Sequence, residues 1–196
     1  MMNIKVENLN KKYGENTVLS NFCAEFKQGE ITCLMGPSGW GKTTLFNILM
    51  GFETPDSGHI VGMPDKKSAV FQEDRLCEEF LALSNIKLVT GKKVEDSVIL
   101  QHLTELGLQD DLAKSLNEFS GGMKRRVAVA RSVLFDADIY LMDEPFKGLD
   151  AATKTVTMDY VKKYTKGKTL VVITHDMDEC DYLGGNLIKV EKYDGV

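Results

Sequence analysis

The chain has 196 residues, 43% of them hydrophobic and 27% charged, with a formal net charge of −5. That suits one globular domain with a sizeable core. An acidic balance gives no reason to expect the basic footprint that nucleic-acid phosphates require, and no apolar stretch approaches the ~20 residues of a membrane helix. The opening segment MMNIKVENLNKKYG has no signal-peptide core, so a cytoplasmic chain is expected. Cys23, Cys33, Cys77 and Cys180 show no paired spacing and read as free thiols in a reducing compartment. No internal repeat, low-complexity tract or linker is evident.

Taken in chain order, KVENLNKKY and VLSNFCAEF alternate as β-strands, punctuated by turn signals at Gly14–Asn16 and Gln28-Gly29. The short buried strand ITCLM leads into a glycine-rich loop and the apolar-faced helix KTTLFNILMG, with Gly51 as its C-cap. TPDSG reads as a turn and SAVF as a strand ending at Gln72. Residues 76–117 have helical periodicity interrupted by Gly91 and Gly107, which predicts an inserted group of helices. A helix over 123–135, the strand IYLMD, a helix near 151–165, the strand TLVVIT and a last strand NLIKVEKY follow. Alternating strands and helices predict an α/β fold whose mostly parallel sheet gathers ligands beyond the carboxyl ends of its strands.

GPSGWGKT, Gly36 to Thr43, fits G-x-x-x-x-G-K-[ST] between a predicted strand and a predicted helix. Gly36, Gly39 and Gly41 let backbone N–H groups surround phosphate oxygens, Lys42 reaches the β- and γ-phosphates, and the Thr43 hydroxyl suits Mg²⁺. Trp40, inside the loop, reads as a surface-facing spacer. IYLMDE ends an apolar strand in two acids: Asp143 suits the Mg²⁺ shell, and Glu144, pointing the other way, suits a general base. Gln72 and His175 close SAVFQ and TLVVITH. The amide can complete a metal shell or position water, and the imidazole can donate to a γ-phosphate oxygen; loop capping is the bland reading of both. Tyr13 is either a base-stacking or a packing aromatic. His59 and His102 read as surface residues, and Lys124, Arg125 and Arg126 as the solvated face of a helix.

EFSGGMKRR, residues 118–126, looks like the start of a second phosphate site, although its SGG motif holds no lysine or metal ligand. Ser120, Gly121 and Gly122 stand where a helix N-terminus offers free N–H groups and a positive dipole to an anion.

The order Tyr13, GPSGWGKT, Gln72, FSGGM, IYLMDE, GLD, His175 resembles the ATP-binding cassette ATPases of membrane transporters over roughly residues 2–190. The resemblance implies a P-loop NTPase occupying residues 1–196 as a single domain. Its parallel core would carry a small N-terminal antiparallel β-subdomain and a helical subdomain (approximately 76–135) that touches a membrane partner. FSGGM is similar to the family signature LSGGQ, so Ser120 to Gly122 would bind the γ-phosphate held by a partner cassette, two ATP molecules being sandwiched head to tail. Carried over residue by residue, Tyr13 stacks on adenine. Gly36, Pro37, Ser38, Gly39, Trp40, Gly41, Lys42, Thr43 and Thr44 bind the phosphates, and Thr43 and Gln72 ligate Mg²⁺. Asp143 follows the metal, Glu144 is the base, His175 is the γ-phosphate switch, and Gly148, Leu149 and Asp150 form a D-loop at the dimer interface.

DEPFKGLD resembles the DEPF(S/G)ALD pattern of bacterial importers, and VFQEDRL with SGGM resembles the nitrate, sulfonate and taurine uptake group. Phe119 and Met123 replace the usual leucine and glutamine, and GHIVGMPDKKS (58–68) is shorter than usual. The implied partners are an integral membrane permease, a second cassette (a homodimer) and, through the permease, an extracytoplasmic solute-binding protein, with the chain at the cytoplasmic face of the membrane. No regulatory extension is expected after the last strand. An exporter subunit and a non-transport cassette are the alternatives; a self-contained nucleotide kinase or GTPase leaves SGG, the D-loop and the strand-end histidine unexplained.

Overall fold

The computed structural model describes residues 2–190; beyond it lie the last residues of the predicted strand NLIKVEKY. β1 (Ile4–Tyr13) and β2 (Asn16–Phe26), the two strands expected first, pair as an antiparallel hairpin, and β3 (Ile31–Met35) feeds α1 (Lys42–Met50). β4 (Ser57–Val61) and β5 (Lys67–Val70) follow, then α2 (Ala82–Thr90), α3 (Asp96–Glu105) and α4 (Gly121–Leu134). β6 (Ile139–Asp143), α5 (Ala151–Tyr164), β7 (Thr169–Ile173), α6 (Met177–Leu183) and β8 (Asn186–Lys189) complete the described fold.

Two sheets result: an antiparallel one ordered β2-β1-β4 and a parallel one ordered β5-β6-β7-β3-β8. β6 and β7 are buried along their whole length, as central parallel strands covered on both faces must be. Their alternate residues divide the core. Leu141, Val171 and Ile173 join Leu45 and Leu49 of α1 and Ile4, Val6 and Phe26 of the antiparallel sheet. Tyr140, Met142, Leu170 and Val172 face Val127 and Ala130 of α4 and Val161 of α5. The second cluster runs on through Ala82, Ile86, Ile99 and Leu103, so the inserted helices are fastened to the sheet through α4. Each such large side chain contributes about 1.5–3 kcal/mol on leaving water.

Several sequence expectations are corrected. SGHIV is a strand, β4, paired to β1 with Val6 opposite Ile60; lying at the sheet edge and mostly exposed, it lacks the alternation that marks a half-buried strand. α6 is a further helix, missed because seven residues with three acids carry little periodicity; Asp176 caps it by accepting from Asp178 N–H at 3.0 Å. α4 begins at Gly121 rather than 123, and β5 ends at Val70, leaving Phe71 and Gln72 in the loop beyond.

Several side-chain placements also change. Trp40 is half-buried against the first core cluster instead of facing solvent. His102 is buried, its Nδ1 2.7 Å from the Tyr160 hydroxyl and its ring 4.3 Å from that of Tyr164. Arg125 and Arg126 are not a solvated face. Arg125 is 7% exposed, while Arg126 donates to Leu106 O at 2.6 Å and to Gly107 O at 3.3 Å. Lys124, half-buried, pairs with Glu78 at 2.7 Å.

Candidate nucleotide site

The loop between β3 and α1 is glycine-rich because its own chain crowds it. A Cβ on Gly36 would stand 2.6 Å from Val190 O. Gly41, the N-cap of α1, has φ +82°, and a Cβ there would meet Val18 O at 2.7 Å. No side chain caps this helix end, so its first N–H groups and the dipole point outward to an anion. Lys42 Nζ lies over the loop, donating to Gly36 O at 2.6 Å and Pro37 O at 2.7 Å. Burial depresses the Lys42 pKa, and Asp143 and Glu144 partly restore it.

A polar cleft of about 260 Å³ opens here, lined by Val18, Ser38, Gly39, Gly41, Lys42, Thr43, Thr44, Gln72, Asp143 and Glu144. Asp143, at the end of β6, is 4% exposed and accepts from the Thr43 hydroxyl at 3.4 Å. Burial first, then the neighbouring Glu144, pushes its carboxyl up, against the opposing pull of Thr43 and Lys42. Thr43 hydroxyl, Gln72 amide and Asp143 carboxylate thus place three oxygen donors on one cleft. That set suits a hard cation such as Mg²⁺, completed by phosphate oxygens and water. Among the described residues no group of three or more His, Cys, Asp or Glu forms an all-protein cage.

Glu144 adopts φ +48°, an uncommon, strained conformation for a residue with a side chain, held by its N–H donating to Ile173 O at 2.9 Å. Its carboxylate meets Lys147 Nζ at 2.6 Å and His175 Nδ1 at 3.3 Å. Burial raises its pKa, but Lys147 and His175 outweigh burial and leave it below the usual range. The His175 side chain is 70% exposed at the mouth of the site.

Other expected residues lie outside the cleft lining. Tyr13 ends β1 half-exposed, its hydroxyl bonded to Glu53 and facing Thr44, with Lys11 Nζ 5.5 Å from its ring centre. Ser120, Gly121 and Gly122 open α4 at the surface, Ser120 Oγ accepting from Met123 N–H at 3.3 Å. Asp150 caps α5 by accepting from Thr153 N–H at 3.0 Å and its hydroxyl at 2.7 Å. A Cβ on Gly122 would meet Leu149 Cδ2 at 3.2 Å, so the FSGGM and GLD segments adjoin.

Sequence reasoning missed two contributors. Val18 lines the cleft from β2, with no local signal to single it out. Arg125 donates to Phe71 O at 2.6 Å and Gln72 O at 2.5 Å and pairs with Asp74 at 3.1 Å, fixing the loop that presents Gln72. The signal available was an arginine one residue from a buried apolar helix face.

A glycine loop, its lysine and two acids ending a central parallel strand define a P-loop nucleotide-binding protein. The ABC transporter family model matches residues 19–147; the chain belongs to that family and is an ATPase. It is 38% identical to the taurine import ATP-binding protein TauB of Jannaschia sp. over 96% of this chain and 77% of the relative. To an aliphatic sulfonates import ATP-binding protein, SsuB 2 of Burkholderia cenocepacia, it is 34% identical, covering 91% of this chain and 70% of the relative. A bicarbonate transport ATP-binding protein, CmpD of Synechocystis sp., is 34% identical over 94% of this chain and 73% of its own length. Among solved structures, the dimeric bacterial ABC transporter cassette MJ0796 superposes with a TM-score of 0.83 at 30% identity, over 98% of this chain and 100% of that one. A post-hydrolysis state of the same cassette with ADP and Pi gives 0.82. No helix among the described residues is long and apolar enough to cross a membrane.

Proposed function

We propose that this chain is the ATP-hydrolysing subunit of an importer for a small anionic or zwitterionic solute, docked on a separate permease at the cytoplasmic face of the membrane. Two cassettes would close head to tail on two MgATP, and hydrolysis would reopen them. The whole chain would act as one cassette, with approximately 76–135 as its helical subdomain. The relatives that handle taurine, sulfonates and bicarbonate support import and the solute class. An extracytoplasmic solute-binding protein would deliver the solute to the permease.

One observation carries the two-chain site. Gly121 has ordinary helical surroundings, no positive φ and nothing within 4 Å of the position a Cβ would take. Its own chain gives no reason for glycine there, whereas a phosphate approaching the N-terminus of α4 from another molecule does. The permease contact would fall on a groove of about 340 Å³ between α1, β5 and the inserted helices, lined by Phe52, Phe71, Val89 and Phe135. Phe52 is 60% exposed there and the adjacent Leu88 61%, the kind of apolar surface that marks a partner.

In the cleft, the loop N–H groups and Lys42 would hold the β- and γ-phosphates, and Tyr13 would stack on adenine. Thr43, Gln72 and Asp143 would hold Mg²⁺, which supplies charge neutralisation across the phosphates when bound. Glu144 would accept the proton of the attacking water, and His175 would donate to the γ-phosphate. The test is solution mass with Glu144→Gln, which should bind ATP and lose about 10²–10⁴-fold in turnover. That variant should dimerise on adding ATP and Mg²⁺, and Ser120→Arg should abolish the dimer. Pairing that survives Ser120→Arg would remove the signature from the partner's site.

A further inference from the structure

Each oxygen of the Glu144 carboxylate has a side-chain nitrogen beside it, and Oε2 is itself buried with no hydrogen-bond donor aligned on it. Oε2 is ion-paired to Lys147 Nζ at 2.6 Å, and Oε1 lies 3.3 Å from His175 Nδ1. A carboxylate takes a proton from water only through a lone pair aimed at that water, and the ammonium, the nearer of the two, draws the group back over its own turn. The pair does little for the fold. Lys147 is 53% exposed. The turn is fixed independently by Lys147 N–H donating to Glu144 O at 3.2 Å, by Glu144 N–H on Ile173 O, and by fully buried Phe146.

Other charged groups face Glu144 too: Asp143 on its own strand, Lys42 from α1 and His175 beyond β7. Lys42 is committed to the carbonyls of Gly36 and Pro37. Lys147 is therefore the lysine that sits on the carboxylate. A half-exposed lysine exchanges a partly buried carboxylate for a polyphosphate at small cost, so triphosphate entering the cleft offers the means of release.

We propose that Lys147 is a positioning residue that latches the base, holding the Glu144 carboxylate over the turn so that each turnover begins by opening the pair. This rests on the reading of Glu144 as the base. Lys147 thereby restrains idle hydrolysis, and its removal speeds the reaction without improving binding.

The experiment compares steady-state ATP hydrolysis by the full chain for wild type, Lys147→Ala, Lys147→Arg and Glu144→Gln. Affinity for a fluorescent ATP analogue and the carboxyl ¹³C resonance of Glu144, assigned by its loss in Glu144→Gln, are measured alongside. A pair with its lysine half-exposed restrains the rate by about two- to fivefold. Lys147→Ala should raise kcat by that factor with analogue affinity unchanged, and Lys147→Arg should restore the wild-type rate. The carboxyl resonance should move in Lys147→Ala, hold in Lys147→Arg, and move in wild type on adding ATP. An unchanged or lower kcat in Lys147→Ala, or a resonance indifferent to Lys147, overturns the latch alone. Near-normal turnover by Glu144→Gln overturns the base reading and the latch with it.

Discussion

α1 and α4 both start from glycine-rich turns, Gly36–Gly41 in one case and Ser120–Gly122 in the other, and both present an anion-seeking helix end. In the first, backbone contacts with Val190 and Val18 or a positive φ demand the glycine at Gly36 and Gly41. In the second, Gly122 leans on Leu149, while Gly121 faces open space. The first turn is explained by its own chain. On the proposed reading the second is completed by another molecule, which is how a half-site differs from a site.

That contrast is most sharply broken or kept by exchanging glycine for alanine in each turn. Gly41→Ala forces a side chain into the left-handed region and against Val18 O, costing about 2–4 kcal/mol in chemical denaturation and abolishing ATP binding. Gly121→Ala should stay within about 0.5 kcal/mol of wild-type stability and keep ATP binding, while ATP-driven pairing in the Glu144→Gln background fails. Equal destabilisation by the two would erase the distinction.

Arg125 is where the two regions meet within one chain, since it belongs to α4 yet grips the carbonyls of Phe71 and Gln72. Arg125→Ala leaves two carbonyls and Asp74 without their cation. It should cost about 2–4 kcal/mol and also raise the KM for ATP, whereas a stability loss with KM untouched would show that Gln72 is positioned without it.

The smallest effect concerns His102, which ties α3 to Tyr160 of α5. Burial lowers its pKa from 6.5, with Glu105 opposing and Lys163 reinforcing. The unfolded chain then binds the extra proton more readily, so the histidine's contribution is complete above about pH 6.5 and declines as pH falls. Thermal melts should show that decline, and His102→Gln should flatten it without changing ATP binding.

The phosphate loop and the strand-end acids were legible in the sequence because their chemistry is local: glycines within a few residues of a lysine, and acids closing an apolar strand. The burial of Arg125, Arg126 and His102 was not. A charged residue on a helix reads as solvated unless the opposing element is known, and their partners lie on other segments. β4 and α6 were missed for lack of a pattern, one being an exposed edge and the other a short acidic turn of helix. Lys147 stood in plain view within DEPFKGLD, yet its pairing with Glu144 depends on the positive φ of Glu144, which no residue type announces.

The position of β3 between β7 and β8 has a temporal consequence. The strand that launches the phosphate loop borders only on strands from the last third of the chain, and Val190 N–H closes onto Met35 O at 2.7 Å. During synthesis the glycine loop leaves the ribosome early and waits, its strand edges unsatisfied, until those segments arrive. Nucleotide can be gripped only once β7 and β8 have been made, so a nascent fragment that stops short of them cannot sequester ATP, and truncation before β8 silences the cleft although every residue lining it is present.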